Sequence, residues 1–496
     1  MNYTSTRDRS VCVTAAEAIT RGISAEGGLF VPCEIPQLSK DEILSLVEKD
    51  YVGRAVDILG RYLTDFSVEE LTSMVTSAYG KQFDCVNPAP LHRLKDGFFV
   101  QELWHGPTCA FKDMALQLLP YLLTASARKF APDKTIVILV ATSGDTGKAA
   151  LEGFRDVDGT KIMVFYPVDG VSNMQKLQMI TQEGKNVSVC AIEGNFDDAQ
   201  NGVKSIFTDA GIIDRLRENN MEFSSANSIN WGRLVPQIVY YVSAYCDLLK
   251  NGVIEYGEPM DVTVPTGNFG NILAAYYAKR MGVPVGRLVC ASNANCVLTD
   301  FIQSGVYDRN RKFYTTSSPS MDILISSNLE RLLYHLSGES DQTICALMQG
   351  LKQDGKYTVS PALAQAVSEV FVGYSCNDND TAETIAKTYD SYGYLIDTHT
   401  AVAVRAAEQY VKTTEPKNVM VVESTASAYK FTQDVLAALK EIRSTDDFEK
   451  MQEMAEFTKT KIPMPLAELS GKKKRFFDTC KPPEMPQAVL SMLKIM

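Results

Sequence analysis

The sequence predicts an α/β protein built on mainly parallel sheets, preceded by a mostly helical N-terminal unit. Three observations carry that expectation. Continuous β-branched and apolar runs, such as residues 135–140, mark strands buried on both faces. Those runs alternate with helical patterns, and such alternation favours parallel sheets joined by right-handed crossovers. Before about residue 90 the spacing is helical instead, over residues 41–49 and 67–79.

Bulk properties bound the function. At ~150 residues per domain, 496 residues make about three domains. Hydrophobic residues make up 45% and charged residues 22%, the balance of an ordinary globular chain. The formal net charge of −11 disfavours nucleic acid as a partner, so any anionic ligand must meet a local cluster of donors. No run of ~18 apolar residues appears, and no membrane partner is expected. The first ten residues lack an apolar signal core, so a cytoplasmic location is expected. The 11 cysteines include no C-x-x-C pair, which points to a reducing compartment without a structural zinc site. The basic run at 472–475 reads as a solvated turn or a localisation signal.

Along the chain, residues 3–7 fit an edge strand and turn. Ser67 and Glu70 have the spacing of a capping box. Asp96-Gly97 is a hairpin signal between strands at 91–94 and 98–100. Gly106-Pro107 turns the chain into a helix that must kink or restart at Pro120. Further strands are expected at 161–166, 186–192, 261–264, 287–292 and 418–422. The polar stretches 338–343 and 375–380 read as exposed loops.

Several constellations have chemical content. Lys112 stands on a strand-to-helix connection flanked by Phe111 and Met114, and apolar surface disfavours its charged form. On residues alone it is either a reactive amine or a surface lysine at a helix start, steadied by Asp113. Gly267-Asn268-Phe269-Gly270-Asn271 joins a strand to a helix and reads as a phosphate cradle or a tight turn. Thr142-Ser143-Gly144-Asp145-Thr146-Gly147 is a hydroxyl-rich anion nest whose spacing fails the P-loop pattern. Asn227, Ser228 and Arg233 gather amide, hydroxyl and guanidinium donors, as a phosphate site or as a polar helix cap. The four histidines, His105 and His399 among them, make no triad or metal-ligand spacing.

The stretch His105-Gly106-Pro107-Thr108-Cys109-Ala110-Phe111-Lys112-Asp113 closely resembles the cofactor-lysine motif of the threonine synthase family. The resemblance extends in order over residues 3–431, through Gly267–Gly270, Glu193–Ala199, Asp397–Val402 and Ser424–Phe431. It implies two α/β domains facing across a cleft that holds pyridoxal 5′-phosphate, the fold of the β-replacing enzymes of that cofactor. The implied domains are 1–90, N-terminal; 91–135 with 255–445, larger and cofactor-binding, with an insertion at about 300–395; 136–254, smaller and mobile; and 446–496, a C-terminal extension. It further implies that Lys112 holds the cofactor covalently, that Gly267, Asn268, Phe269, Gly270 and Asn271 hold its phosphate, and that Thr425 meets its pyridine nitrogen. Thr142, Ser143, Gly144, Asp145 and Thr146 would receive the substrate carboxylate and, through Thr146, its phosphate. Asn227, Ser228 and Arg233 would contact that phosphate. The implied reaction turns O-phospho-L-homoserine and water into L-threonine and phosphate, in a monomer or homodimer, with no metal. A phospho-lyase releasing 2-oxobutyrate, ammonia and phosphate, and a non-catalytic binding protein of the same fold, stand as alternatives. The chain departs from the family at Asp8 (usually Gly), at Ser427-Ala428-Tyr429 (often His-Pro-Ala) and at Thr398 (often Pro).

Overall fold

Two sheets organise the chain, each with helices packed against it. The computed structural model describes residues 1–130, 132–142 and 144–495. The larger sheet has 6 strands, in the order Phe371–Ser375, Val285–Ser292, Met260–Pro265, Val419–Ser424, Phe98–Glu102 and Leu91–Lys95. Every pairing is parallel except the last, the hairpin across Asp96-Gly97. The smaller sheet has 5 strands, all parallel, in the order Thr479–Cys480, Val187–Ile192, Thr160–Pro167, Thr135–Ala141 and Met221–Ser224. Thr135–Ala141 and Met260–Pro265 are buried almost end to end, which is why each reads as an apolar run without alternation.

The N-terminal unit has the expected helices, Ala15–Arg21, Lys40–Val47, Tyr51–Tyr62 and Val68–Tyr79. Ser67 and Glu70 form the reciprocal capping box that starts the last of them. The expected edge strand is corrected: Tyr3–Ser5 is the middle strand of a 3-stranded antiparallel sheet with Asp8–Val13 and Phe30–Pro32. Tyr3, Tyr62 and Tyr277 ring Trp231 at centroid distances of 5.5, 5.7 and 5.4 Å, which seats this unit on the helix Trp231–Lys250.

Two polar stretches read as loops are helix starts. The Ser340 hydroxyl accepts from Thr343 N to begin Asp341–Gln353, and the Asn377 side chain accepts from Asp380 N to begin Asp378–Tyr392. Their polarity satisfies first-turn N–H groups instead of facing water alone. At Pro120 the chain restarts, as the missing N–H requires: a short helix Asp113–Leu116 ends, and Leu119–Phe130 begins with Pro120 in its first turn.

The C-terminal segment joins the two units. Met451 and Met454, on the helix Asp447–Thr458, share a core with Val422 and Leu436 of the larger unit. The chain then crosses over, and the Arg475 guanidinium donates to the Gln182 and Gly184 carbonyls. Thr479–Cys480 forms the edge strand of the smaller sheet, and the helix Met485–Leu493 buries Met485 and Val489 in that unit's core with Phe165 and Ile206.

Candidate active site

Lys112 ends a turn that begins at Gly106 and immediately precedes the helix Asp113–Leu116. The backbone here is fixed against the larger sheet, since Phe111 N donates to Thr425 O at 2.8 Å and Ala110 bridges Ala426. The lysine is 9% exposed. Its Nζ lies 4.9 Å from the Phe111 ring centroid, 3.4 Å from Asp145 Oδ2 and 3.3 Å from Ser320 Oγ. Burial pulls the amine below the usual lysine range; Asp145 opposes that, while Lys430 and Arg233 reinforce it. Asp113 does not steady the ammonium. Its two oxygens accept from Thr108 N at 2.8 Å and Thr108 Oγ1 at 2.7 Å, and burial pushes its pKa up to about 6.

Asp145 is the hub of the cleft. It opens the helix Asp145–Gly153 behind Gly144, whose φ of 134° and contact with the Gln175 side chain exclude any other residue. Asp145 Oδ1 pairs with Lys430 Nζ at 2.6 Å and accepts from Gln175 Nε2 at 2.9 Å, while Oδ2 accepts from Ser320 Oγ at 3.2 Å. Burial opposes its ionisation, but Lys430 and Lys112 hold its pKa far below the usual carboxylate range. Asp145 therefore enters the site as an acceptor, and not as the donor that an anion nest calls for. The Thr142 hydroxyl orders the same loop by accepting from Gly144 N and Gly147 N, both at 2.9 Å. Thr146 is half-buried beside it, and Ser143 lies outside the described residues.

The glycine loop leads into the helix Gly270–Arg280 with Phe269 in the left-handed region at φ 63°. Ser326 Oγ donates to Gly267 O at 2.6 Å, and Asn328 Nδ2 donates to Asn268 O at 3.1 Å. Asn271 Oδ1 accepts from Tyr240 and Tyr241 hydroxyls, and its buried Nδ2 has no partner among the described residues. The donor loop abuts this one, because a Cβ on Gly270 would lie 3.9 Å from Ser228 Cβ. Arg233, in the first turn of Trp231–Lys250, is 3% exposed; its Nη1 donates to Ala226 O and its Nε has no partner among the described residues. Burial pushes its pKa down to about 10. Asn227 is half-buried in the same loop, and its backbone N–H donates to Ser225 Oγ at 3.1 Å.

Three contributors carry no site role in the sequence reading: Lys430, which lies inside the Ser424–Phe431 stretch, Gln175 and Ser320. Ser320 comes from the segment inserted in the larger unit, and its backbone N donates to His399 Nε2 at 3.1 Å. His399 Nδ1 is 2.7 Å from Asp397 Oδ2, so this ring orients the serine. His105 sits between Asp84 and Glu102 at 2.6 and 2.8 Å. Burial works to lower its pKa but is outweighed by Cys85, Glu102 and Asp84, which raise it to about 10. Asp84, Cys85 and His105 lie within metal-ligating reach of one another, but an imidazolium donating to two carboxylates repels a cation. The family departures are accommodated locally. Thr398 takes the first position of the helix Thr398–Thr414 behind the Asp397 cap, where proline is also favoured. The Tyr429 hydroxyl reaches Thr460 Oγ1 at 2.7 Å.

These residues fit pyridoxal phosphate. A buried amine with a lowered pKa, an unpartnered Asn271 Nδ2 at a helix N-terminus, and a Thr425 hydroxyl without a hydrogen bond among the described residues match its aldehyde, phosphate and ring nitrogen. Gly267 is tightly constrained, since an added Cβ would lie 2.7 Å from Ser320 O. Gly267→Ala is therefore expected to weaken cofactor binding roughly five- to hundred-fold, as a shift of backbone costing ~1–3 kcal/mol implies. Titration of the folded variant with cofactor, followed by absorbance, checks this.

Family models match the chain along most of its length: "Threonine synthase N terminus" over residues 2–79, "Pyridoxal-phosphate dependent enzyme" over 83–425, and "Threonine synthase, C-terminal" over 400–487. "Threonine synthase-like 1" of Homo sapiens is 43% identical over 435 residues, which cover 86% of this chain and 58% of that protein. The chain thus spans little more than half the length of that relative. Threonine synthase of Pseudomonas aeruginosa is 38% identical, covering 88% of this chain and 90% of its own. A crystal structure of PLP-bound threonine synthase from Brucella melitensis superposes with a TM-score of 0.88 at 36% identity, covering 99% of both chains. On these matches the chain belongs to the threonine synthase family of pyridoxal-phosphate-dependent enzymes.

Proposed function

We propose that the protein converts O-phospho-L-homoserine and water into L-threonine and phosphate, with pyridoxal phosphate held on Lys112. The observation that carries this reading is the buried Lys112 amine, its pKa lowered, beside one carboxylate and near two further cations. The Gly267–Asn271 loop would hold the cofactor phosphate, with Thr425 at the ring nitrogen. When bound, the cofactor supplies an electron sink for negative charge at the substrate α carbon.

The chain's own residues then divide the work. Lys112, freed by the substrate amine, takes the α proton and later returns it; a lowered pKa keeps a fraction of this amine neutral and able to do so. Thr142, Ser143, Gly144 and Thr146 receive the substrate carboxylate, and Thr146, Asn227, Ser228 and Arg233 receive its phosphate. Lys112 would also take the proton lost from Cβ and, with the departing phosphate, return one at Cγ, while water adds its hydroxyl at Cβ and gives up its proton to the same pair. The unit at 136–254 is the one that moves to exclude bulk water.

A second reading has one observation in its favour: the relative at 43% identity is named "Threonine synthase-like 1", a name that states no reaction. A phospho-lyase would share every step up to phosphate departure and then release 2-oxobutyrate and ammonia. Incubating purified protein with phosphohomoserine and quantifying both organic products separates the two. Threonine equal to released phosphate is expected; 2-oxobutyrate in that amount makes the protein a lyase, and no phosphate release overturns both readings.

A further inference from the structure

We infer that Lys430 is a substrate-binding residue and that Asp145 is its displaceable internal counter-ion, which the substrate's anionic group must push aside. The inference rests on the proposal above that the substrate carries a phosphate. It goes beyond that proposal by adding a binding cation outside the donor loop and by reversing the role of Asp145 from ligand to competitor.

Lys112, Lys430 and Arg233 are 9%, 1% and 3% exposed, so none can rely on water to stabilise its charge. Lys430 Nζ has two partners, Asp145 Oδ1 at 2.6 Å and the Thr108 carbonyl at 3.0 Å. Lys112 has the same carboxylate at 3.4 Å, and Arg233 has no carboxylate partner among the described residues. Asp113 is the other acid near Lys430, but both its oxygens are bound by Thr108. One carboxylate therefore serves two lysines, and Arg233, whose charge acts on Lys112, adds to the excess of positive charge. An arriving phosphate relieves that excess, whereas a neutral ligand does not.

Asp145 is also placed so that it can leave. It stands at the first turn of Asp145–Gly153, on the loop that follows a strand of the smaller sheet. Lys112 and Lys430 are fixed to the larger sheet, the second through the turn Ala428–Phe431 that follows Val419–Ser424. Displacement is thus a movement of that first helical turn relative to the larger sheet. Gln175 and Ser320 both donate to the same carboxylate, and these donors also suit an anion in its place.

The test is calorimetric titration of inorganic phosphate into the cofactor-loaded protein. Asp145→Asn keeps the shape, removes the competing charge, and is expected to tighten phosphate about tenfold or more. Lys430→Gln retains a donor toward Thr108 O and is expected to weaken phosphate by a similar factor. The double variant is expected to bind no more tightly than Lys430→Gln, because the carboxylate acts through the lysine. Unchanged or weaker phosphate binding in folded Asp145→Asn overturns the inference. So does tightening that persists in full without Lys430, which would put the effect of Asp145 elsewhere. If Lys430→Gln does not fold, the Asp145→Asn titration alone decides. These outcomes are separate from the identity of the product, since a lyase would show the same phosphate affinities, and a synthase could lack them.

Discussion

Replacing Lys112 by alanine is expected to abolish turnover and covalent cofactor attachment while leaving the fold in place. The side chain is held by two polar contacts at 3.3 and 3.4 Å and one ring face, so its removal cuts no backbone bond and opens only a small space in a polar cleft. Removing the amine also relieves charge crowding with Lys430 and Arg233, which keeps the stability change small. The chemistry has no substitute. Lys430 is another buried amine of the cleft, but its Nζ is bound to Asp145 and Thr108 and belongs to a different turn. A rate loss of ~10⁴-fold or more is expected, the scale seen when a residue acting as both nucleophile and base is removed. Borohydride treatment with cofactor, followed by intact mass, checks it. A cofactor adduct on the Lys112→Ala chain would show that another lysine carries the cofactor.

Arg233→Ala is the second large effect. In this position the guanidinium is buried, its Nε without a partner among the described residues and its pKa pushed down to about 10 by burial, an arrangement that gains most when a phosphate arrives. A charge-assisted hydrogen bond of ~1.5–3 kcal/mol corresponds to roughly a ten- to hundred-fold loss in kcat/KM. Because negative charge grows on the departing oxygen, kcat is expected to fall as well as KM to rise. Arg233→Lys restores part of this at most, since an ammonium lacks the two-donor fork. Cofactor affinity is expected to stay near that of the parent protein, because the Gly267 loop serves a different phosphate. Steady-state phosphate release and a cofactor titration on the same preparations separate the two phosphates; normal kcat/KM with weakened cofactor binding would reverse the assignment.

What could be read from residues was whatever is contiguous. The turn before Lys112, the glycine loop and the Ser67–Glu70 capping box are each local, so spacing and turn chemistry reveal them. Lys430 lay inside a quoted motif, yet nothing in its neighbours shows that its amine reaches a carboxylate 285 positions earlier in the chain; that pairing is a product of the two sheets meeting. Ser320 sits in a polar stretch without pattern, and its place is set by His399. The strand Phe371–Ser375 was missed because five residues containing a glycine carry little β signal. For Asp145, residue type alone does not say whether a carboxylate guards cations or neighbours an anion; its contacts with Lys430 and Lys112 come only from the fold.

The crossing of the C-terminal segment bears on how this chain can be divided. A fragment cut at 136–254 would contain four of the smaller sheet's strands but lack Thr479–Cys480 and the helix Met485–Leu493. Its Val187–Ile192 strand would present open N–H and C=O groups, and Phe165, Ile206 and Val203 would lose the cover of Met485 and Val489. Such an uncovered edge recruits other chains. The stretch that is continuous in sequence is therefore not the unit whose sheet and core are complete, and the complete one includes residues from both ends of a span of more than three hundred positions.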